Sequence, residues 1–347
     1  MKYIIWFSGG IDSTYTSWKL KNQWHEVLLV YLHNFWELEP GKKLYLNNIA
    51  EKLWCNFEIV DIRKEFKDLI IDDFVHHYKI WKTPNPCVLC NPLVKFDILE
   101  RIRQKYSFDK IATGHYAKIV NIDNNSYIAA ADDEQKEQSY MLYRLENQSL
   151  VENIEFVLWK ERKTKIKKKL QDLEIPVVSG ESQDICFIKD WDYINFIKNY
   201  SKFNNKEWNI LDKRWNIIWK HKWIIYYTIG QRKWLGINTK YYVIDIDVRD
   251  NAIIVWDEKD LFKESIEVWN YFIKEELLVN KDFVWEDVYA KIRYKSSPQK
   301  IKSIEKKWDK IIITFAEKVK APTKGQHCVF YKRISSQNIV VWWWEIY

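Results

Sequence analysis

The opening run KYIIWF, SGGIDST, YTSWKLKNQ and HEVLLVYL constrains the fold of this chain more than any other feature. A short apolar strand, a tight turn, a helical stretch and a second apolar strand make a β-α-β unit. Strands joined through a helix run parallel, and a parallel sheet needs helices on its faces. Further strand candidates, FEIVDI (57–62) and KIATGHY (110–116), are separated by helical stretches such as LYLNNIAEKL and NPLVKFDILERIRQKY, so a parallel sheet covered by helices is expected. From about residue 200 the pattern changes to short β-rich runs: IIYYTIG, KYYVIDIDV, NAIIVW, DVYAKIRY, KIIITFA, HCVFYKR and NIVVW. These read as one or two small β domains or barrels. The 347 residues suffice for two or three domains, at about 150 residues each.

The turn SGGIDS, Ser8 to Ser13, carries chemistry as well as geometry. Between a strand and a helix N-terminus, two glycines let the backbone fold tightly, so that amide N–H groups and the helix dipole meet phosphate while Ser8 and Ser13 offer hydroxyls. It lacks the GK[ST] of a Walker loop and the GxGxxG of a dinucleotide site. A glycine pair serving the turn alone is the alternative; the place after the first strand, where ligands bind in open α/β sheets, favours a ligand. The stretch resembles the pyrophosphatase loop of enzymes that adenylate an oxygen with ATP and release pyrophosphate. That resemblance implies ATP and Mg2+, places Phe7, Ser8, Gly9, Gly10, Ile11, Asp12 and Ser13 at the nucleotide, and sets Asp12 near the metal.

TPNPCVLCNPLVKF, Thr83 to Phe96, follows. Pro84 and Pro86 force an extended entry, and Cys87 and Cys90 lie near the expected start of a helix, where the dipole lowers a thiol's pKa. One of them should therefore be reactive. A zinc half-site is the alternative, but a closed site needs two more ligands, and Cys55, Cys186 and Cys328 are scattered without a second CxxC. In ESQDICFI, Cys186 sits between apolar residues and by itself reads as a core cysteine. An adenylating loop, a reactive thiol and a distant second thiol make sense together if sulfur is delivered to an activated oxygen.

The chain carries 55 Lys and Arg against 48 Asp and Glu, a net +7, which weakly favours a polyanionic partner. The run KERKTKIKKKL (160–170) reads first as a solvated helix face and second as an RNA contact. No apolar run reaches membrane-spanning length and the N-terminus lacks a signal peptide's apolar region, so a cytoplasmic protein without a membrane partner is expected. Five cysteines, an odd number, argue against a disulfide scaffold.

Taken in order, SGGIDS, TPNPCVLCN with LVKF, ATGHY (112–116), KEQSYML (136–142), ESQDICFI, YYTIGQRK (226–233), KIRY (291–294) and KGQHCVFY (324–331) resemble the tRNA-specific 2-thiouridylases nearly end to end. The resemblance implies an adenine nucleotide alpha hydrolase-like domain with a pyrophosphatase loop over 1–198, a small β-rich central domain over 199–264 and a tRNA-binding C-terminal β-barrel over 265–347. It also implies a reaction. ATP activates the 2-carbonyl oxygen of the wobble uridine, a persulfide on Cys186 attacks, and Cys90 completes sulfur release by forming a disulfide with Cys186. Gly114 would touch the nucleotide, Leu32 would line the adenine pocket and His115 would lie near the RNA. Asn85, Pro86 and Cys87 would meet the target base; Lys136, Glu137, Gln138, Arg293, Tyr294 and Gln326 would contact tRNA. The implied partners are tRNA and a sulfur-donor protein, a cysteine desulfurase or a persulfide relay; no metal-ligating protein cluster is implied. Many members of the family have Asp where this chain has Cys87, and Glu137 stands where Asp is usual. A small-molecule ligase with the same loop would have no use for the thiol pair, and a noncatalytic RNA-binding module could dispense with loop and thiols alike.

Composition adds one anomaly. The chain has 20 Trp and only 8 Gly, whereas ordinary usage of about 7% would give roughly 24 Gly. In the resembling family, glycines fall on Trp24, Trp54, Trp159, Trp208, Trp215, Trp219, Trp223, Trp234, Trp256 and Trp342 to Trp344. Glycine at a turn supplies φ > 0 or close backbone approach, which an indole cannot. UGA codons meaning glycine in the source organism but rendered as Trp would explain the pattern. Those rings should then project into solvent or crowd turns, some at φ > 0.

Overall fold

The computed structural model describes residues 1–176, 185–188, 192–201, 207–233, 235–236, 240–273, 287–307, 310–334 and 336–347. Glu181 to Asp184 of the ESQDICFI segment, and Trp234, lie outside the described residues. The chain forms two compact units, one of residues 1–72, 86–187 and 333–340, the other of 73–85, 188–332 and 341–347.

In the first unit, β1 (Lys2–Trp6), β2 (Glu26–His33), β3 (Asn56–Asp61) and β4 (Lys110–Thr113) are followed by a hairpin, β5 (Ala117–Ile122) and β6 (Asn125–Ala130), and by β7 (Ile154–Phe156). Five of them make a sheet in the order β3-β2-β1-β4-β7, each pair parallel. Successive residues of a strand point to opposite faces. Ile4 and Ile5 are both fully buried, as are Leu29 and Val30, so both faces of the sheet are covered. The chain runs from β1 outward to β3 and then returns to β4 on the other side of β1, a reversal that opens a crevice at the carboxyl ends of β1 and β4. SGGIDS leaves β1 there and leads into α1 (Ile11–Asn22); α2 (Pro40–Lys52) joins β2 to β3.

The second unit holds a small sheet, β10-β11-β8-β9, made of β8 (Trp208–Asp212), β9 (Ile217–His221), β10 (Tyr242–Asp247) and β11 (Ala252–Trp256). At the C-terminus, β12 (Phe262–Ile273), β13 (Val288–Lys291), β14 (Gln299–Lys307), β15 (Lys310–Lys320), β16 (His327–Ile334) and β17 (Gln337–Ile346) follow the order β12-β15-β14-β13-β16-β17, closed into a barrel by pairing of β12 with β17. The expected strand in IIYYTIG is instead a single helical turn, Ile224–Tyr226. Ile224 and Ile225 are adjacent and both buried, which a turn inside packed chain permits and a half-exposed strand does not.

The tryptophans fall into two groups. Trp24, Trp54, Trp81 and Trp215 have φ of 63°, 53°, 63° and 66°, a region in which a bulky residue is an outlier. Trp24 and Trp54 are 95% and 84% exposed, and Trp208, Trp215 and Trp219 more than half exposed, as expected of indoles without a pocket. Trp223, Trp342 and Trp344 depart from that expectation, for all three are buried. Alternation along β17 turns Trp342 and Trp344 to the same side, where both meet Phe330 edge to face, at ring distances of 6.0 and 4.6 Å. Stability should therefore divide the groups. Trp24→Gly and Trp54→Gly should each gain about 1 kcal/mol by removing left-handed strain, whereas Trp342→Gly and Trp344→Gly should each lose about 3 kcal/mol or more, as read by urea denaturation.

Candidate active site

The loop after β1 is shaped by contacts on both sides. Gly9 has φ +74°, and a Cβ there would stand 2.6 Å from Leu46 Cδ2, so only glycine fits. The Ser8 and Ser13 hydroxyls lie 3.1 Å apart, Ser13 Oγ donates to the Gly10 carbonyl at 3.1 Å, and Gly10 N–H faces Ser8 Oγ at 3.3 Å. No side chain caps α1. Its first amides thus have no side-chain acceptor at the helix start. Gly114, just past β4, closes the crevice: a Cβ there would meet the backbone of Asp12 and Ser13 at 2.9 Å. Leu32 is buried near the end of β2.

Asp12 is engaged at both oxygens. Tyr116 donates its hydroxyl to Oδ1 at 3.0 Å, and Lys163 forms an ion pair with Oδ2. Lys163 thus occupies the carboxylate oxygen at which magnesium is expected, and a metal there would take its place. Lys163 heads the helix Lys163–Asp172 and belongs to the basic run read as a solvated face. Its role in the site could not be seen without the fold. Tyr116 is in turn held by Gln138, whose N–H donates to the Tyr116 carbonyl at 2.8 Å and whose Oε1 accepts from Tyr116 N–H at 2.9 Å.

The thiols gather at the same edge of the sheet. Cys87 and Cys90 lie on the short helix Pro86–Cys90, which continues through Asn91–Phe96 into Asp97–Lys105. Cys186 lies at the surface, where its Sγ accepts from Asn34 Nδ2 at 3.3 Å just beyond β2. Cys90 is close enough to feel the charge of Cys186 and of Cys87. The dipole-lowered thiolate expected here is not what the structure shows. Burial pushes the Cys90 thiol up to about 12, and the nearby Lys95 ammonium opposes this only in part. Cys87 and Cys186 are raised for the same reason, protein crowding around the sulfur outweighing the surface position of Cys186, and Lys95 again pulls the other way. Desolvation of the charged form outweighs a helix terminus when the sulfur is buried. Lys95 sits 3.8 Å from the centre of the Trp6 ring, at the end of β1, and donates to Asn91 Oδ1 at 3.2 Å.

His115, expected near RNA, is buried between the Trp6 and Phe96 rings and bonded through Nδ1 to Thr113 Oγ1 at 2.8 Å. Burial, with Lys95 beside it, lowers its pKa to about 3, so the ring is neutral. Glu137 is also buried, accepting from Ser139 N–H, and Lys136 lies in the turn begun by Asp133. In the second unit, Arg293 opens a turn closed by Ser296, and Lys291 lies over the Tyr294 ring at 5.8 Å. Gln326, expected on tRNA, spends its Nε2 on the Thr83 carbonyl at 2.7 Å, while Thr83 N–H donates to the Lys324 carbonyl at 3.0 Å. Asn85 follows that tethered segment. No helix among the described residues is long and apolar enough to cross a membrane, and no described cluster of His, Cys, Asp or Glu could hold a metal ion.

Residues 1–190 match the sequence model of the tRNA methyl transferase HUP domain, 194–257 that of the tRNA methyl transferase PRC-barrel domain, and 273–335 that of the aminomethyltransferase β-barrel domain. The chain is 37% identical over 338 residues to the tRNA-specific 2-thiouridylase MnmA 1 of Clostridium botulinum (strain Okra), covering 94% of each chain. The chain belongs to the tRNA-specific 2-thiouridylase family. Identity to the MnmA protein of Clostridioides difficile is 35% over 348 residues, covering 95% of this chain and 94% of the relative. A solved 4-thiouridine synthetase–RNA complex with bound ATP aligns at a TM-score of 0.36 and 16% identity over 57% of this chain and 50% of its own, a likeness too slight to build on.

As a family member whose Cys90 thiol is raised by burial, the protein should react with iodoacetamide at Cys90 at a rate that climbs about tenfold per pH unit between about pH 7 and 9. Lys95→Met should slow that reaction further. Mass spectrometry of the Cys90 peptide measures both, and a plateau below about pH 8 would mean that the thiolate is already formed.

Proposed function

We propose a reaction for this tRNA sulfurtransferase, a 2-thiouridine synthase, in which the crevice at β1 and β4 holds ATP and the thiols beside it deliver sulfur. Supporting this is one observation above all: Cys90 and Cys186, nearly 100 residues apart in sequence, share an electrostatic environment at the carboxyl edge of the sheet that bears the SGGIDS loop.

The free amides of α1, with the Ser8 and Ser13 hydroxyls, bind and orient the phosphate chain. Gly114, packed directly on the backbone of Asp12 and Ser13, brings the loop after β4 up to the edge of the nucleotide site. Lys163, moving off Asp12, carries positive charge to the phosphates. Adenylation of the uridine 2-carbonyl oxygen releases pyrophosphate and makes that oxygen a leaving group. The terminal sulfur of a persulfide on Cys186 then bonds to C2, and AMP leaves with the oxygen. Cys90 attacks the Cys186 sulfur and breaks the sulfur–sulfur bond to the product, leaving 2-thiouridine and a Cys90–Cys186 disulfide. Lys95 stabilises the thiolates that these steps require. Magnesium, if bound with the nucleotide, would supply charge neutralisation; Asp12 can reach it only after parting from Lys163. Asn85, Pro86 and Cys87 would meet the base, and Arg293 and Tyr294 the tRNA backbone. A protein persulfide supplies the sulfur, and the cytoplasm, where tRNA is substrate, is the site of action.

Incubation with tRNA, ATP and a persulfide donor, followed by nucleoside mass spectrometry, tests the reading. Cys186→Ser should abolish 2-thiouridine while AMP formation and tRNA binding persist. Thiolation undiminished in that variant would sink the assignment.

A further inference from the structure

Three side chains of α2 bear on two consecutive peptides of the loop. Tyr45 donates its hydroxyl to the Gly9 carbonyl at 2.8 Å, and Lys42 Nζ donates to the Ser8 carbonyl at 3.3 Å. Leu46 packs so closely on Gly9 that a methyl group could not be inserted. Lys42 also lies over the Tyr45 ring, 5.1 Å from its centre, so the two donors brace each other. In a trans peptide the C=O and N–H point in opposite directions, and the chain has no cis peptide among the described residues. Tying the Ser8 and Gly9 carbonyls to α2 therefore turns the N–H groups of Gly9 and Gly10 away from α2. Gly10 N–H indeed faces the Ser8 hydroxyl, on the side where Ser8 and Ser13 meet.

We propose that Tyr45 and Lys42 are positioning residues for ATP, holding the loop's amides toward the phosphate chain through the carbonyls on its outer side. This rests on the reading of SGGIDS as the ATP site. Neither residue touches the nucleotide in this role; they act by fixing peptide planes that would otherwise rotate.

Tyr45→Phe keeps the ring and removes only the hydroxyl, and Lys42→Met keeps most of the stem and removes the charge. Each should raise the KM for ATP about tenfold, the effect of one lost hydrogen bond of about 1.4 kcal/mol, with kcat and the KM for tRNA little changed. Thermal melts without nucleotide should stay near that of the unaltered chain, whereas melts with saturating ATP should show a smaller upward shift. An unchanged ATP KM in Tyr45→Phe overturns the proposal. If the unaltered chain binds no ATP at all, the reading of the loop falls and this role with it.

Independently, we infer from the chain reversals that the cell which makes this protein places glycine, not tryptophan, at positions 24, 54, 81 and 215. Five described helices end in the same paired way; at two the residue between is Ser107 or Glu174, with φ of 54° and 51°, and at the other three it is a bulky indole. At the first, His25 N–H bonds the Leu20 carbonyl and Trp24 N–H that of Lys21; at the second, Cys55 reaches Ala50 and Trp54 reaches Glu51; at the third, Lys82 reaches His77 and Trp81 reaches Tyr78. This paired pattern requires a left-handed residue between, a place that glycine takes by default. At each of the three, the left-handed residue is the tryptophan. Trp215 does the same in the turn between β8 and β9, where its N–H bonds the Asp212 carbonyl at 3.0 Å. Trp81 was not among the positions that the sequence comparison marked; its backbone reveals it. A codon read as glycine in that cell and translated as tryptophan elsewhere accounts for all four. Peptide mass mapping of the protein purified from its source cells should give glycine masses at these positions, and tryptophan masses there overturn the inference.

Discussion

The contact of Gly114 with the backbone of Asp12 and Ser13 governs the first unit. Two loops leaving adjacent parallel strands converge so tightly that nothing larger than a hydrogen atom can stand between them. The convergence exists because the chain reverses its direction of sheet growth at β1. With Gly114 in place, the first turn of α1, the Asp12 carboxylate and the residues that hold it are fixed relative to the sheet. Tyr116 and Gln138 extend the same rigidity outward, since one buttresses Asp12 and the other buttresses Tyr116.

Electrostatics at this edge is a contest between burial and a single cation. Desolvation raises all three thiols and keeps His115 neutral; the same Lys95 lowers the thiols and further lowers His115. One charge thus favours thiolate and disfavours imidazolium together. The consequence is a set of thiols held largely protonated beside a neutral histidine that stands as an aromatic wall between Trp6 and Phe96.

Much of this was legible in the sequence. Alternation of apolar runs with helical stretches disclosed the parallel sheet, because period and length are local properties of β1, α1 and β2. SGGIDS disclosed the tight turn between β1 and α1, because two glycines at a strand end mark a close chain reversal. What escaped depends on distance in the chain. Lys163 meets Asp12 across some 150 residues, and Lys42 and Tyr45 reach the loop from a helix whose sequence carries no motif. The direction of the Cys90 shift escaped too, since a helix start is visible in sequence whereas the burial that overrides it is not. Gln138, Glu137 and His115 likewise have partners within the fold, Tyr116, Ser139 and Thr113, that no local pattern reveals. The indoles divided for a similar reason, because β17 alternation hides Trp342 and Trp344 inside the barrel, which no local pattern of glycine replacement reveals.

The tether on Thr83 has a consequence for how the protein comes into being. The segment that leads into Cys87 is held by Lys324 and Gln326, with Lys82 paired to Glu345, only two residues from the end of the chain. Gly325 presses against Lys82 and Thr83 so closely that the fit admits no side chain. During synthesis, at about 5–20 residues per second, the parallel sheet and the loop after β1 are complete long before these anchors leave the ribosome. A chain that stopped before Lys324 would carry the parallel sheet but none of these anchors for Lys82 and Thr83.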